Sequence, residues 1–365
     1  MVPVTDGRGL NRFIAFPYEL HRGDPLWVPQ LRMDVRTLLS PKKNPFWRHA
    51  EAQFFVGRSD GRTVGRIGAI RNHLHNQTHE DRVGFYGFFE CVNDPEVARA
   101  LWDAAAGWLA AKGCDTMRGP MSPSINDECG LLVDGFTTPP TLMMPHNPPY
   151  YVALHERYGF RKAKDLLAYE GSGQAPPERY LKIAQRVANR AGITLRPLNL
   201  KRFGEEVELI KELYNQAWEK NWGFVPLTEP EIDHLAKQLK PIAVPDLVPF
   251  AVRDGKVVGF AVALPDLNVA LKHNTSGRLW GLPLILWHAR KIRRVRVLLL
   301  GTIPEFRGRG IDALLYNWIW AKGVAKGYNW GEGGWILEDN APMNNAAQAL
   351  GFRPYKTYRI FDKAL

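Results

Sequence analysis

Chemistry concentrates where the apolar run Val295-Arg-Val-Leu-Leu-Leu-Gly-Thr302 breaks at Pro304 and passes through Phe306-Arg307-Gly308-Arg309-Gly310 into a helical pattern from Ile311. Arg307 and Arg309 supply fixed positive charge in a forked donor geometry that suits phosphate oxygens. Gly308 and Gly310 let the main chain approach a ligand closely, and the first N–H groups of a helix starting at Ile311 lack partners inside the helix. Together these residues make an anion cradle, and a diphosphate is the group that fits it. Asp312 sets a carboxylate in the first helical turn, so it must turn aside or cap the helix if a diphosphate is to sit there.

The order strand, Arg307-Gly-Arg-Gly310-Ile311, helix, then Gly351-Phe352 ahead of the last strands resembles the GNAT superfamily of acyl-CoA-dependent N-acyltransferases. The family loop pattern Gln/Arg-x-x-Gly-x-Gly/Ala reads here as Arg307-x-x-Gly310-x-Asp312. The resemblance implies acetyl-CoA or a longer acyl-CoA as donor, a primary amine as acceptor and no metal. It places Arg307, Gly308, Arg309, Gly310 and Ile311 around the CoA diphosphate and gives the Leu300 N–H to the thioester carbonyl. It also gives the Thr302 main chain to the pantetheine arm and makes Asn340 a further cofactor contact. The chain is most similar to tandem GNAT-like bacterial proteins, with kinship to bacterial enzymes that N-acylate sphingoid bases.

Two familiar proton-transfer positions of that family carry unsuitable residues. The glutamate base falls at Arg296, which cannot accept a proton, and the tyrosine acid falls at Ala347. The remaining candidates for proton transfer are led by Glu305, Glu338 and Asp339, the last two following the apolar strand Gly334-Trp-Ile-Leu337.

Positioning such a loop requires a sheet, and the sequence writes that sheet twice. Residues 53–70 are two β runs joined at Asp60-Gly61, and 249–264 repeat them around Asp254-Gly255, each a hairpin signal. Phe54 matches Phe250 at an offset of 196, and Gly159-Phe160 matches Gly351-Phe352 at 192. Recurrence of landmarks in one order argues for a duplicated unit. The expected fold is therefore α/β, two tandem GNAT-like domains, each a mixed, mostly antiparallel sheet flanked by helices. The expected division is 1–175, behind a loosely structured proline-rich lead-in, and 176–365, joined at Gly171-Ser-Gly-Gln-Ala-Pro-Pro177.

Each copy has a helix between its landmarks, 96–112 and 310–326. Ahead of the first helix stands Asn93-Asp94-Pro95-Glu96, acids and a missing N–H where the second copy has its cradle, so the C-terminal copy is the one expected to bind acyl-CoA. The first copy carries an insertion at 122–151 whose Asp127, Glu128, His146, Asn147 and Tyr151 are candidate acceptor-binding residues. Loops of that length are usually functional or disordered, and this one is too apolar for disorder. His73, His75 and His79 lie in a polar stretch expected to be a solvated loop.

The second copy carries an insertion reading Leu279-Trp-Gly-Leu-Pro-Leu-Ile-Leu-Trp287, followed by Arg290, Lys291, Arg293 and Arg294. Such a stretch either packs into a core or lies on an anionic membrane.

Length and composition are those of a two-domain globular protein: 365 residues, 45% apolar, 23% charged, with a net charge of +11. That balance favours anionic partners such as CoA, RNA or a membrane surface; DNA is not expected. Three cysteines without CxxC spacing give neither a disulfide framework nor a zinc site and point to a reducing cytoplasm. No apolar run approaches the roughly 20 residues that cross a bilayer, so a cytoplasmic protein with peripheral membrane contact through 279–294 is the expected form. The competing readings are an aminoacyl-tRNA-dependent transferase of related tandem fold and a non-catalytic CoA- or lipid-binding protein.

Overall fold

The computed structural model describes residues 1–218 and 221–365. In chain order the elements that position the sites begin with α1 (Gly7–Leu20), β1 (Ala50–Ser59), β2 (Arg62–Asn72), β3 (Val83–Cys91), α2 (Pro95–Ala111), β4 (Thr116–Gly119), α3 (Tyr150–Tyr158) and β5 (Arg161–Ser172). They continue with α4 (Phe203–Trp218), β6 (Phe250–Arg253), β7 (Lys256–Pro265), α5 (Leu282–Ala289), β8 (Arg294–Thr302), α6 (Ile311–Ala325), β9 (Trp330–Leu337), α7 (Ala341–Ala349) and β10 (Arg353–Ala364).

Contacts divide the chain into two compact units, Met1–Leu166 with Asn268–Arg290 and Lys356–Leu365, and Leu167–Leu267 with Lys291–Tyr355. Relative to a single cut near residue 175, two later segments therefore group with the first unit.

In the first unit Asp60 and Gly61 both take positive φ, 48° and 78°, the twist that a two-residue hairpin turn needs. They join β1 to β2 in register from Ala50–Asn72 to Ser59–Arg62. β3 pairs antiparallel with β2 and parallel with β4, which requires the crossover that α2 supplies. Asp94 caps α2 by accepting from Glu96 N at 2.8 Å, and Pro95 opens it. Ala98, Leu101, Trp102, Ala105 and Leu109 form its buried stripe, packed with Tyr86, Phe89, Tyr151 and Phe160. The late strand β10 pairs antiparallel with β4, from Phe361–Gly119 to Ala364–Thr116, and Arg118 grips Asp362 through two 2.7 Å bonds.

Residues 1–45 are not a loose lead-in. They contain α1, with Phe13, Ile14 and Phe16 buried, and a second helix, Arg32–Leu38. Pro17, inside the last turns of α1, hid the helical spacing of those apolar residues. The 73–79 stretch is likewise a short helix, His73–His79, and not a solvated loop. Its His75 is buried against Phe85 and His79, and burial pushes its imidazole down to about 3.

The second unit repeats the plan. β6 and β7 form a hairpin through Asp254 and Gly255, with φ of 48° and 77°. β7 pairs antiparallel with β8, β8 runs parallel to β9, and α6 connects that pair. Ile311, Leu314, Leu315 and Ile319 of α6 pack on Ala251, Val258, Val295 and Val297. Among the described residues no helix is long and apolar enough to cross a membrane.

Candidate active site

The second unit opens its sheet at the parallel pair. β8 and β9 are in register from Arg294–Trp330 to Val297–Gly333, and both run on, to Thr302 and Leu337. The β7–β8 register shifts between Val262 and Ala263, leaving Leu298 as the extra residue of a bulge, and a bulge bends the strand that carries it. Beyond it the two strands form facing walls of a cavity of about 520 Å³, lined by Leu298 to Thr302 on one side and Gly333 to Leu337 on the other.

Main-chain donors face that cavity. Ala261 N donates to Pro249 O at 3.0 Å, away from β8, while Ile303 N donates to Val258 O at 3.1 Å. N–H directions alternate along an antiparallel ladder. Leu300, paired with Ala261, and Thr302, paired with Gly259, therefore turn their N–H groups away from β7, toward the opening.

The glycine-rich loop closes one end of the same cavity. Gly308 and Gly310 have φ of 71° and 80°, and Gly310 starts α6 with no side-chain cap, so the first amides of the helix remain available as donors. A Cβ on Gly308 would meet nothing within 4 Å; its positive φ is what calls for glycine. The Ile311 side chain is buried in the core, while Asp312 lines the cavity. Burial, and then Asp312's charge, hold the neighbouring Tyr316 hydroxyl well above its usual range.

Arg307 also lines the cavity, but its Nη2 donates to Gln216 O and Ala217 O at 3.0 and 3.1 Å. The carbonyl end of α4 attracts a cation, so this arginine is engaged in anchoring the loop. Arg309 lies over the Phe306 ring at 5.1 Å. Asn340 caps α7, accepting from Met343 N at 3.3 Å, and lines the cavity.

The carboxylates expected to move protons lie elsewhere. Glu305, Glu338 and Asp339 are exposed and do not line the cavity. Arg296, at the family's base position, pairs with Glu332 at 3.3 Å, and its Nη2 donates to Gly334 O at 2.9 Å. Tyr355 donates to the same Glu332, which is fully buried. The opposing register of Arg296 and Glu332 on adjacent strands makes the pair.

A second cavity, of about 140 Å³, lies within the first unit and gathers four of the five candidate acceptor residues: Glu128, His146, Asn147 and Tyr151. Asp127 is outside it, accepting from Ser124 Oγ at 2.7 Å. Asn147 spends its amide on the main chain of Leu132, at 2.7 and 3.1 Å. Tyr151 donates to Glu90 at 2.8 Å and accepts from Cys91 N at 2.7 Å. Burial pushes Glu90 up, but His21, at 2.9 Å, with Arg66 and Tyr151, holds it below the ordinary carboxylate range.

Glu128 has weaker compensation. Burial lifts it to about 7, against a 2.6 Å bond from Gln30, while Asp127 and Glu90 push it the same way as burial. His146 bonds Asp24 at 2.8 Å. His21, Asp24 and His146 bring ligand atoms within 4.8 Å of one another, with His146 bonded to Asp24 and His21 to Glu90. Sequence reasoning missed His21, Arg66 and Glu90. The available signal was a glutamate in β3, a strand whose nine residues are all buried.

The splayed parallel pair, the bulge and the uncapped helix after a glycine-rich loop, on a plan present twice in the chain, are those of a GNAT fold in tandem form. The chain superposes on a tandem GNAT protein from the clavulanic acid biosynthesis pathway with a TM-score of 0.58 at 16% identity, covering all of this chain and 97% of that one. No family model matches it. It is 39% identical to the bacterial ceramide synthase of Caulobacter vibrioides, across all of this chain and 97% of that protein. It is 36% identical to protein YghO of Escherichia coli, across 98% and 93%. The chain belongs to the family of the bacterial ceramide synthase.

Proposed function

We propose that the protein transfers an acyl group from acyl-CoA to the primary amine of a long-chain, sphingoid-type acceptor. The observation that carries the reading is the opening between β8 and β9, into which Leu300 and Thr302 turn their N–H groups beside the uncapped start of α6. The diphosphate of CoA takes the amides after Gly310, with Arg309 as countercharge, and the pantetheine arm extends along Thr302. The Leu300 N–H receives the thioester oxygen as charge develops on it. The neutral amine forms the new C–N bond, the C–S bond breaks, CoA leaves as thiolate, and the amine's surplus proton passes to solvent.

Acceptor recognition is assigned to Glu128 and its neighbours in the first unit. A half-buried carboxylate raised by desolvation gains from an ammonium group that supplies the missing charge, and the amine gives up that proton before it attacks. The name of the Caulobacter relative supports a ceramide-type amide as product.

Incubating the purified protein with palmitoyl-CoA and a sphingoid amine, with mass spectrometry for the amide and a thiol assay for CoA, tests this. The expected result is matched amide and thiol, with Gly310→Val reducing CoA affinity at least tenfold. Calorimetry showing no binding of CoA or palmitoyl-CoA would overturn the donor assignment. CoA binding without turnover on any amine would leave a binding protein instead.

A further inference from the structure

We infer that the 279–287 protrusion is a docking surface for an anionic lipid bilayer. Large apolar side chains are scattered over most protein surfaces, so a lone exposed leucine carries no information. Here six of the twelve large apolar side chains that stand exposed among the described residues fall within nine positions: Leu279, Trp280, Leu282, Leu284, Leu286 and Trp287. Trp280 is 70% exposed and Leu286 68%, whereas Ile285 alone of α5 is buried. A patch of that density marks an interaction site.

The protrusion is built on a fixed base. Asn274, itself buried, donates to Arg278 O at 3.0 Å, and Arg278 O also receives Gly281 N at 3.1 Å. Arg32 binds the same loop through Ser276 O at 2.9 Å and Gly277 O at 2.8 Å. His273 stacks on His288 with centroids 3.4 Å apart, holding the two ends of the segment together. The fold thus pins the polar underside and leaves the apolar side facing solvent.

Charge chooses the occupant. From Leu267 to Lys291 the chain carries Lys272, Arg278, Arg290 and Lys291, with no aspartate or glutamate. A second copy of this chain would bring two such basic borders together, which repel. An anionic bilayer accepts both features, with tryptophan and leucine at the headgroup boundary and lysine and arginine against lipid phosphates.

The test is flotation of the full-length protein with vesicles of phosphatidylethanolamine and 30% phosphatidylglycerol, and with phosphatidylcholine vesicles. The expected result is at least tenfold stronger partition to the anionic vesicles, weakened by salt. It should fall at least tenfold in Trp280→Ser/Leu286→Ser and in Arg290→Glu/Lys291→Glu. Tryptophan emission should shift blue on binding in the wild type and lose that shift in Trp280→Ser. Circular dichroism and CoA affinity, unchanged in these variants, show that they fold. Equal partition of wild type and variants, or no partition at all, would overturn the inference. So would a concentration-dependent dimer that the Trp280→Ser/Leu286→Ser variant abolishes.

Discussion

Replacing Glu128 with glutamine isolates the cost of holding a carboxylate in the first unit's cavity. Glu128 is raised from 4.5 to about 7. Its folded form binds the proton more tightly than its unfolded form, so the associated stability is fully present below 4.5 and is lost as pH rises through about 7. Between pH 5 and pH 8 that difference is worth about 2.5 kcal/mol, taking 1.36 kcal/mol per unit. Glutamine keeps the oxygen that accepts from Gln30 at 2.6 Å and does not titrate. Urea unfolding at pH 5 and pH 8 should show the wild type losing about 2.5 kcal/mol more than Glu128→Gln across the interval. A long-chain primary amine should raise the wild-type midpoint more at pH 8 than at pH 5, because its ammonium relieves the ionised carboxylate; the variant should show no such increment. Parallel pH profiles for the two proteins, with and without amine, would refute the reasoning.

Asp312→Asn removes a carboxylate from the cavity wall at the start of α6; calorimetry should show CoA binding three- to tenfold tighter, on the order of 1 kcal/mol. Gly308→Ala places a Cβ on a residue with φ of 71° and should cost about 1–2 kcal/mol in denaturant unfolding, although nothing lies within 4 Å of the new atom. Arg296→Met strands the fully buried Glu332 and should cost about 3–5 kcal/mol, while adding Glu332→Leu should recover a large part of it; thermal unfolding of the single and double variants checks the pair.

What was legible in the sequence was local and repeated. Asp-Gly turns, the Asp94-Pro95 helix start and the two Gly-Phe landmarks each report a backbone requirement that only a few residue types meet, so both hairpins and both crossover helices could be read directly. The loop at 307–310 was readable for the same reason. The polar network at Glu90 was not, because His21, Arg66 and Tyr151 are brought to it by tertiary packing from three separate parts of the chain. Of the three exposed carboxylates, Glu305 was chosen beside the loop and Glu338 and Asp339 for following an apolar strand, and neither position fixes side-chain direction. The fate of the 279–287 stretch was also open, since a core helix and a surface protrusion can share one apolar composition; only burial separates them.

The pairing of β10 with β4 has a consequence for the order of synthesis. Thr116 to Gly119 reach the ribosome exit long before their partners Phe361 to Ala364. The nascent first unit therefore carries a bare strand edge while roughly 240 further residues are made, on the order of 10–50 s. A bare edge is a template for other chains, so this fold spends part of its birth exposed to mispairing. A fragment comprising 1–166 alone would keep that edge open permanently. Adding a peptide of residues 353–365 in trans should raise the soluble yield of such a fragment, with Arg118 and Asp362 as the clasp that selects the correct register.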